Sequence, residues 1–197
     1  MITTMREKLG AYTPRKLSFN YPEAGVLVPV TDSASDPEII LTQRAAHMNT
    51  HRGQVAFPGG RREQHDDDLV ATALRESHEE IGLNPECVEV VAPLSQVISR
   101  YGILVSPFVG IISGQETLSP NPAEIDSIFR VPVSFFLEDR RLRTDEIRFR
   151  NVRMYVPCWE WSGYQIWGMS AIVLADFLNV AFDAGIDLTR AIAKEKT

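Results

Sequence analysis

Three carboxylates, Glu76, Glu79 and Glu80, stand at positions i, i+3 and i+4 in the string Arg75-Glu76-Ser77-His78-Glu79-Glu80-Ile81. On a helix that spacing gathers them on one face, where each like-charged pair costs an isolated helix roughly a few tenths of a kcal/mol. A hard divalent cation reverses the sign of that interaction, because Mg²⁺ and Mn²⁺ prefer oxygen ligands. Arg75, four residues before Glu79, is spaced to hold that carboxylate through a charge-assisted hydrogen bond. Taken alone, such a triplet is more often a solvated acidic face. Here it follows a Phe57-Pro58-Gly59-Gly60 turn, and glycines let backbone approach a ligand closely.

Positioning these groups requires a helix, and the pattern predicts one. Asp66-Asp67-Asp68 put acidic residues at its start, Gly82 and Pro85 stop it, and the span is about 66–81. Val70, Leu74, Ser77 and Ile81 share one face, with the glutamates expected on the opposite one. Strands are predicted at 24–31, 39–42, 88–91, 97–98 and 104–112, and residues 45–60 read mostly as loop. Residues 129–136 carry a strand and a short helix, and the alternation over 147–156 predicts one half-exposed strand. A closing helix is expected at 166–184, its core positions including Ala171, Leu174, Leu178 and Ala181. The polar first 23 residues, with Pro14 and Pro22, read as a lead-in. Strands surround helices without regular βαβ alternation, which predicts an α/β fold built on a mixed sheet.

Composition narrows the partners. The 197 residues fit a single domain over 1–197, and 44% apolar with 23% charged residues is ordinary for a globular chain. Twenty Lys and Arg against 26 Asp and Glu give a formal charge of −6, which argues against a general nucleic-acid or acidic-membrane binder. A small anionic ligand stays compatible, since a metal or a few arginines reverse the local sign. Two cysteines, Cys87 and Cys158, make a disulfide scaffold or a Cys-x-x-Cys site unexpected. With neither a signal-peptide core nor a membrane-length apolar run, a cytoplasmic location is the default expectation. The apolar C-terminal helix with its tryptophans leaves monomer and homodimer both open.

The string Arg75-Glu76-Ser77-His78-Glu79-Glu80-Ile81-Gly82-Leu83 resembles the Nudix hydrolase box, R-E-U-x-E-E-x-G-U with U apolar. Ser77 departs from the apolar U. Asp67 is read as the upstream acid, with six residues rather than five between it and Gly60. Further upstream, Ile40-Leu41-Thr42-Gln43-Arg44-Ala45, Gly53 and Phe57-Pro58-Gly59-Gly60 look like the signature that coenzyme A diphosphatases carry before the box. The second arginine of that signature falls on Asn49, with Arg52 three residues on. The run Ser99-Arg100-Tyr101-Gly102 into Pro107-Phe108-Val109-Gly110 and the turn Trp167-Gly168-Met169-Ser170-Ala171 resemble the same subfamily, so the likeness covers roughly residues 24–185, with the box loop-helix at 59–83.

The resemblance implies the Nudix fold, a mixed β-sheet sandwiched between α-helices, and metal-dependent hydrolysis of a diphosphate bond. In the subfamily it implies cleavage of coenzyme A to 4′-phosphopantetheine and adenosine 3′,5′-bisphosphate, with Mg²⁺ or Mn²⁺ as cofactor. Glu76 and Glu80 are then the expected metal ligands, Glu79 a further ligand or the base, and Arg75 its orienting partner. Glu124 is the base candidate outside the box. Arginine's planar fork suits phosphate, so Arg44, Arg52, Arg61 and Arg62 are substrate-binding candidates, with Gly59 and Gly60 in the approaching backbone. Tyr101, His51 and His78 are more simply rim, surface or packing residues, and Trp159, Trp161 and Trp167 core or interface aromatics. Two other readings compete: a Nudix hydrolase of ADP-ribose or a dinucleotide, and a ligand-sensing module without turnover. The latter would be expected to have lost a box glutamate, and all three remain. An RNA-decapping role is disfavoured by the acidity and the lack of a basic stripe.

Overall fold

β-branched and aliphatic runs form the centre of the fold. The computed structural model describes residues 1–47, 52–149 and 152–189. Strand β1, Glu23–Thr31, lies in the middle of an eight-stranded sheet. It pairs in parallel with β7, Leu104–Ile112, from Glu23 opposite Leu104 to Thr31 opposite Ile112. On its other side it meets β2, Glu38–Arg44, and the short β4, Gly59–Arg61, both antiparallel. β3 (Val55–Ala56) and β8 (Ile125–Pro132) join β2, while β5 (Glu89–Pro93) and β6 (Val97–Ile98) join β7. The expected 45–60 loop therefore contributes two short strands, β3 and β4.

Alternation along β1 sorts the two faces. Val28 and Val30 face a large core shared with Leu41, Val109, Trp159, Leu174 and Phe177. Leu27 faces a smaller one with Ile40, Ala73, Ile81 and Ile112. Helix α2, Leu69–Ile81, covers the smaller core; α1, Ile2–Ala11, and α4, Met169–Phe182, cover the larger one. Each Leu or Phe buried here contributes about 1.5–3 kcal/mol. The sheet is thus sandwiched between helices, as expected. Helix α2 comes unusually near β1 because Gly25 has no side chain: a Cβ there would lie 2.2 Å from the Leu69 carbonyl oxygen.

Three sequence expectations are corrected. The first residues are no mere lead-in: α1 buries Met5 and Leu9 completely against the core. Arg6 pairs with Glu89 and Lys8 with Asp183, and the Tyr12 hydroxyl meets Ser95 Oγ at 2.6 Å. The single strand expected over 147–156 is two antiparallel strands, β9 (Arg141–Phe149) and β10 (Val152–Trp161), with Phe149 opposite Val152. They form a second, three-stranded sheet with β11, Tyr164–Ile166. Ile166 therefore ends a strand, and the last helix begins only at Met169; Ala171, Leu174, Leu178 and Ala181 are buried as expected. The short helix α3, Val133–Leu137, follows β8. Among the described residues no helix is long and apolar enough to cross a membrane.

Candidate active site

Helix α2 begins at Asp68, whose side chain accepts a hydrogen bond from the Ala71 N–H, and ends at Gly82 in the left-handed conformation. The acid that locks its outer face is Asp66. Its carboxylate accepts from Arg75 Nε at 2.9 Å and Nη2 at 3.0 Å, from Thr72 Oγ1 at 2.9 Å and from the Glu63 N–H at 2.9 Å. The Arg75 guanidinium holds this buried carboxyl well below the usual range. Asp67, expected in that role, is exposed and offers its main-chain carbonyl to Arg62. Arg75 is the hub: its Nη1 donates to Glu76 Oε1 at 3.0 Å and to the Glu79 carboxylate at 3.3 Å, and its Nη2 to the Arg61 carbonyl at 3.1 Å.

The three box glutamates do not share a solvent face. At about 100° per residue, Glu80 falls between Ala73, Ser77 and Ile81 on the face packed against the sheet, and only 2% of it is exposed. Glu76 lies at the edge of that face, and Glu79 is half exposed. Ser77, the departure from an apolar residue, is fully buried and donates to the Ala73 carbonyl at 2.6 Å. One Glu80 oxygen accepts from the Gly59 N–H at 3.0 Å and the other from Arg44 Nη1 at 3.1 Å. Burial, with the nearby charges of Glu76 and Glu124, pushes Glu80 up to about 7 although Gly59 and Arg44 pull it down. Burial likewise raises Glu76, against Arg75 and with Glu79 and Glu124.

Glu124 reaches this cluster through main-chain anchoring. The Ser119 N–H donates to the Ile81 carbonyl at 2.9 Å and the Asn121 N–H to the Glu80 carbonyl at 2.9 Å, so this segment caps the end of α2. The Ala45 N–H donates to the Glu124 carbonyl at 2.8 Å. Beside it the β2–β8 register shifts between Gln43 and Arg44, which pairs with Ile125. An extra residue on one strand turns its neighbours relative to the sheet. Neither the anchoring nor the shift has a local sequence signal. Only the proximity of Glu124 to Pro122 and Asn121 marked it as a turn residue.

The donors here are all oxygen. Carboxylates raised by burial and by neighbouring charge, as Glu76 and Glu80 are, are the groups a hard dication would relieve, so these two, with the Glu124 charge nearby, have chemistry that fits Mg²⁺ or Mn²⁺. Among the described residues no three such side chains already converge as a cage, because Arg75 draws Glu76 and Arg44 draws Glu80.

The other expected residues fall as follows. Gly59 and Gly60 line the cluster, and a Cβ on Gly60 would lie 2.4 Å from the Glu76 carboxylate. Arg52 and Arg61 are exposed. Arg62 clamps the loop, donating to the Asp67 carbonyl at 2.9 Å and approaching Glu23 at 3.4 Å. Tyr101 is exposed, with Arg100 5.0 Å from its ring centre, and His78 is exposed. Trp159 is fully buried, Trp161 packs edge-on to Phe135, and Trp167 is exposed. Asn49 and His51 lie outside the described residues.

Residues 22–150 match the NUDIX domain. The chain is 36% identical to an uncharacterized Nudix hydrolase NudL of Photorhabdus laumondii, over 82% of its own length and 86% of the relative's. The chain belongs to the Nudix family. It is also 36% identical to "Nudix hydrolase 22, chloroplastic" of Arabidopsis thaliana over 83% of its length, and spans only 57% of that plant protein. A Nudix hydrolase from M. smegmatis, RenU, shares the fold at a TM-score of 0.50 and 20% identity, covering 60% of this chain and 74% of that one.

Two predictions follow from the geometry around this Nudix box. Gly60→Ala should displace the Glu76 carboxylate, because a methyl group cannot occupy its position. Hydrolysis should drop by about 10²-fold, the scale of a misplaced reacting group, while the circular dichroism spectrum stays unchanged. The second concerns pH. Folding favours protonated Glu80, whose pKa rises from 4.5 to about 7. That contribution is complete below about pH 4.5 and is lost as pH rises through 7, on the order of 3 kcal/mol in metal-free protein. Glu80→Gln should flatten this slope in urea unfolding measured across pH 4.5–8; an equally steep slope in the variant would assign it to other groups.

Proposed function

We propose that the chain is a metal-dependent diphosphohydrolase that cleaves the P–O–P bond of a nucleoside diphosphate derivative, with coenzyme A as its substrate. The observation that carries the reading is the gathering of Glu76, Glu80 and Glu124 charges beside the Gly59-Gly60 turn. Glu76 and Glu80 would hold Mg²⁺ or Mn²⁺, with Glu79 as a further ligand or as base. The chemistry such an ion supplies is neutralisation of diphosphate charge and a more nucleophilic water at neutral pH.

Water adds to one phosphorus, the bridging P–O bond breaks, and two phosphate monoesters leave. Glu79, half exposed and held by Arg75 at 3.3 Å, faces solvent and takes the proton that water loses. Glu124 is the alternative acceptor. Arg44 and the exposed Arg52 and Arg61 would meet phosphate oxygens. The backbone at Gly59 and Gly60 admits the diphosphate closely.

The signature from Ile40 to Gly60 supports coenzyme A, giving 4′-phosphopantetheine and adenosine 3′,5′-bisphosphate. Asn49, where that signature has arginine, favours a second reading in which ADP-ribose or a dinucleotide is cleaved. A panel of coenzyme A, acyl-CoA, ADP-ribose, NADH and diadenosine polyphosphates, each with Mg²⁺ or Mn²⁺ and product identification, separates them. A higher kcat/KM for ADP-ribose than for coenzyme A would replace the first reading with the second. No turnover of any of them would remove both.

A further inference from the structure

We propose that Arg44 is an exchangeable counter-cation, holding Glu80 in the metal-free protein and released toward the substrate's diphosphate when a divalent cation takes that carboxylate. The inference rests on the metal-dependent reading above. Arg44 Nη1 lies 3.1 Å from Glu80 Oε1, and the two side chains are 18% and 3% exposed. The other Glu80 oxygen already accepts the Gly59 N–H, which cannot leave without breaking the pairing of β4 with β1, where Gly59 lies opposite Val26. The guanidinium is therefore the partner of Glu80 that can give way.

The main chain of Arg44 is fixed, and its side chain reaches Glu80 from that base. Its N–H donates to the Gln54 carbonyl at 3.0 Å, and its carbonyl accepts from the Gly53 N–H at 3.1 Å. Arg44 ends β2 where the β8 register shifts, so the long side chain leaves the sheet toward α2 from a rigid base. A guanidinium and a dication sharing one buried carboxylate repel each other, and less solvent is present there to screen them. A diphosphate bound next to the metal offers the displaced guanidinium oxygens that match its planar fork. Metal and substrate are then linked through one side chain: Arg44 opposes the metal when substrate is absent and favours substrate once the metal is in place.

The test measures the two bindings separately, without turnover. Mn²⁺ binding to the free protein is followed by electron paramagnetic resonance, and α,β-methylene-ADP binding by calorimetry with Ca²⁺. Arg44→Gln should tighten Mn²⁺ by about fivefold or more and weaken the analogue by about fivefold or more, the lower end of common coupling strengths. Arg44→Lys, which keeps the charge, should restore the Mn²⁺ affinity toward wild type. If Arg44→Gln instead weakens Mn²⁺ or leaves it unchanged, Arg44 only braces Glu80 and the proposal falls while the metal-dependent reading stands. Wild type that binds no Mn²⁺ overturns both. Should Arg44→Gln not fold, the nitrogen-15 side-chain resonance of Arg44 in wild type carries the test. Mg²⁺ alone should shift it as the Glu80 contact breaks, and an unmoved resonance at saturating Mg²⁺ overturns the exchange.

Discussion

Replacing Glu79 with glutamine should lower kcat by about 10²–10⁴-fold, the usual range for a lost general base, and leave KM within about threefold. Glutamine keeps the length and the Arg75 contact but can no longer accept a proton from water. Because Glu79 is half exposed and Ser77 and Glu80, not Glu79, form the packed face, the substitution leaves the fold intact. The loss then sits in the transition state rather than in ground-state binding. Steady-state kinetics on the preferred substrate of the panel reads this directly. A loss expressed only through KM would move Glu79 from proton transfer to substrate binding and point to Glu124 as the acceptor, which Glu124→Gln would then report.

The second large effect is on stability. Asp66→Ala removes the acceptor of two Arg75 donors, the Thr72 hydroxyl and the Glu63 N–H, and leaves Arg75 largely buried without its main partner. Breaking one side of a buried ion pair costs about 3–5 kcal/mol, a large share of the net stability of an ordinary domain. Urea unfolding at pH 7 should show that loss, whereas Asp67→Ala, at an exposed position, should stay within about 0.5 kcal/mol. Equal losses at both positions would mean that the two aspartates share the role. Since Arg75 also holds Glu76 and Glu79, activity should fall with Asp66→Ala even at temperatures where the variant remains folded.

The elements nearest the chemistry were the most legible in the sequence. Strands β1, β2 and β7 announce themselves as β-branched runs bounded by turns, and α2 by its acidic start and its glycine stop. The Nudix box could be placed on a helix without coordinates. Which way that helix faces could not, because charge ordinarily signals solvent, and the buried Glu80 breaks that rule. Asp66 and Asp67 are chemically identical neighbours; only packing shows that the first, separated from Gly60 by five residues, turns inward. Helix α1 escaped notice because just two of its residues, Met5 and Leu9, enter the core. The pairing of β9 with β10 escaped because the strands lie close in sequence, Phe149 opposite Val152, and no glycine or proline stands anywhere in 141–156 to divide the run. Contacts of Glu124 and Arg44 with the box span 36 residues or more of sequence and leave no local trace.

The segment from Ser119 to Glu124 behaves as a bracket rather than a lid. Its hydrogen bonds go to the carbonyls of Glu80 and Ile81, so swinging it outward uncaps the very helix whose side chains it faces. Main-chain movement of that outer carboxylate therefore comes only at the cost of a helix cap, so its reach is set by the length of its own side chain and not by loop motion.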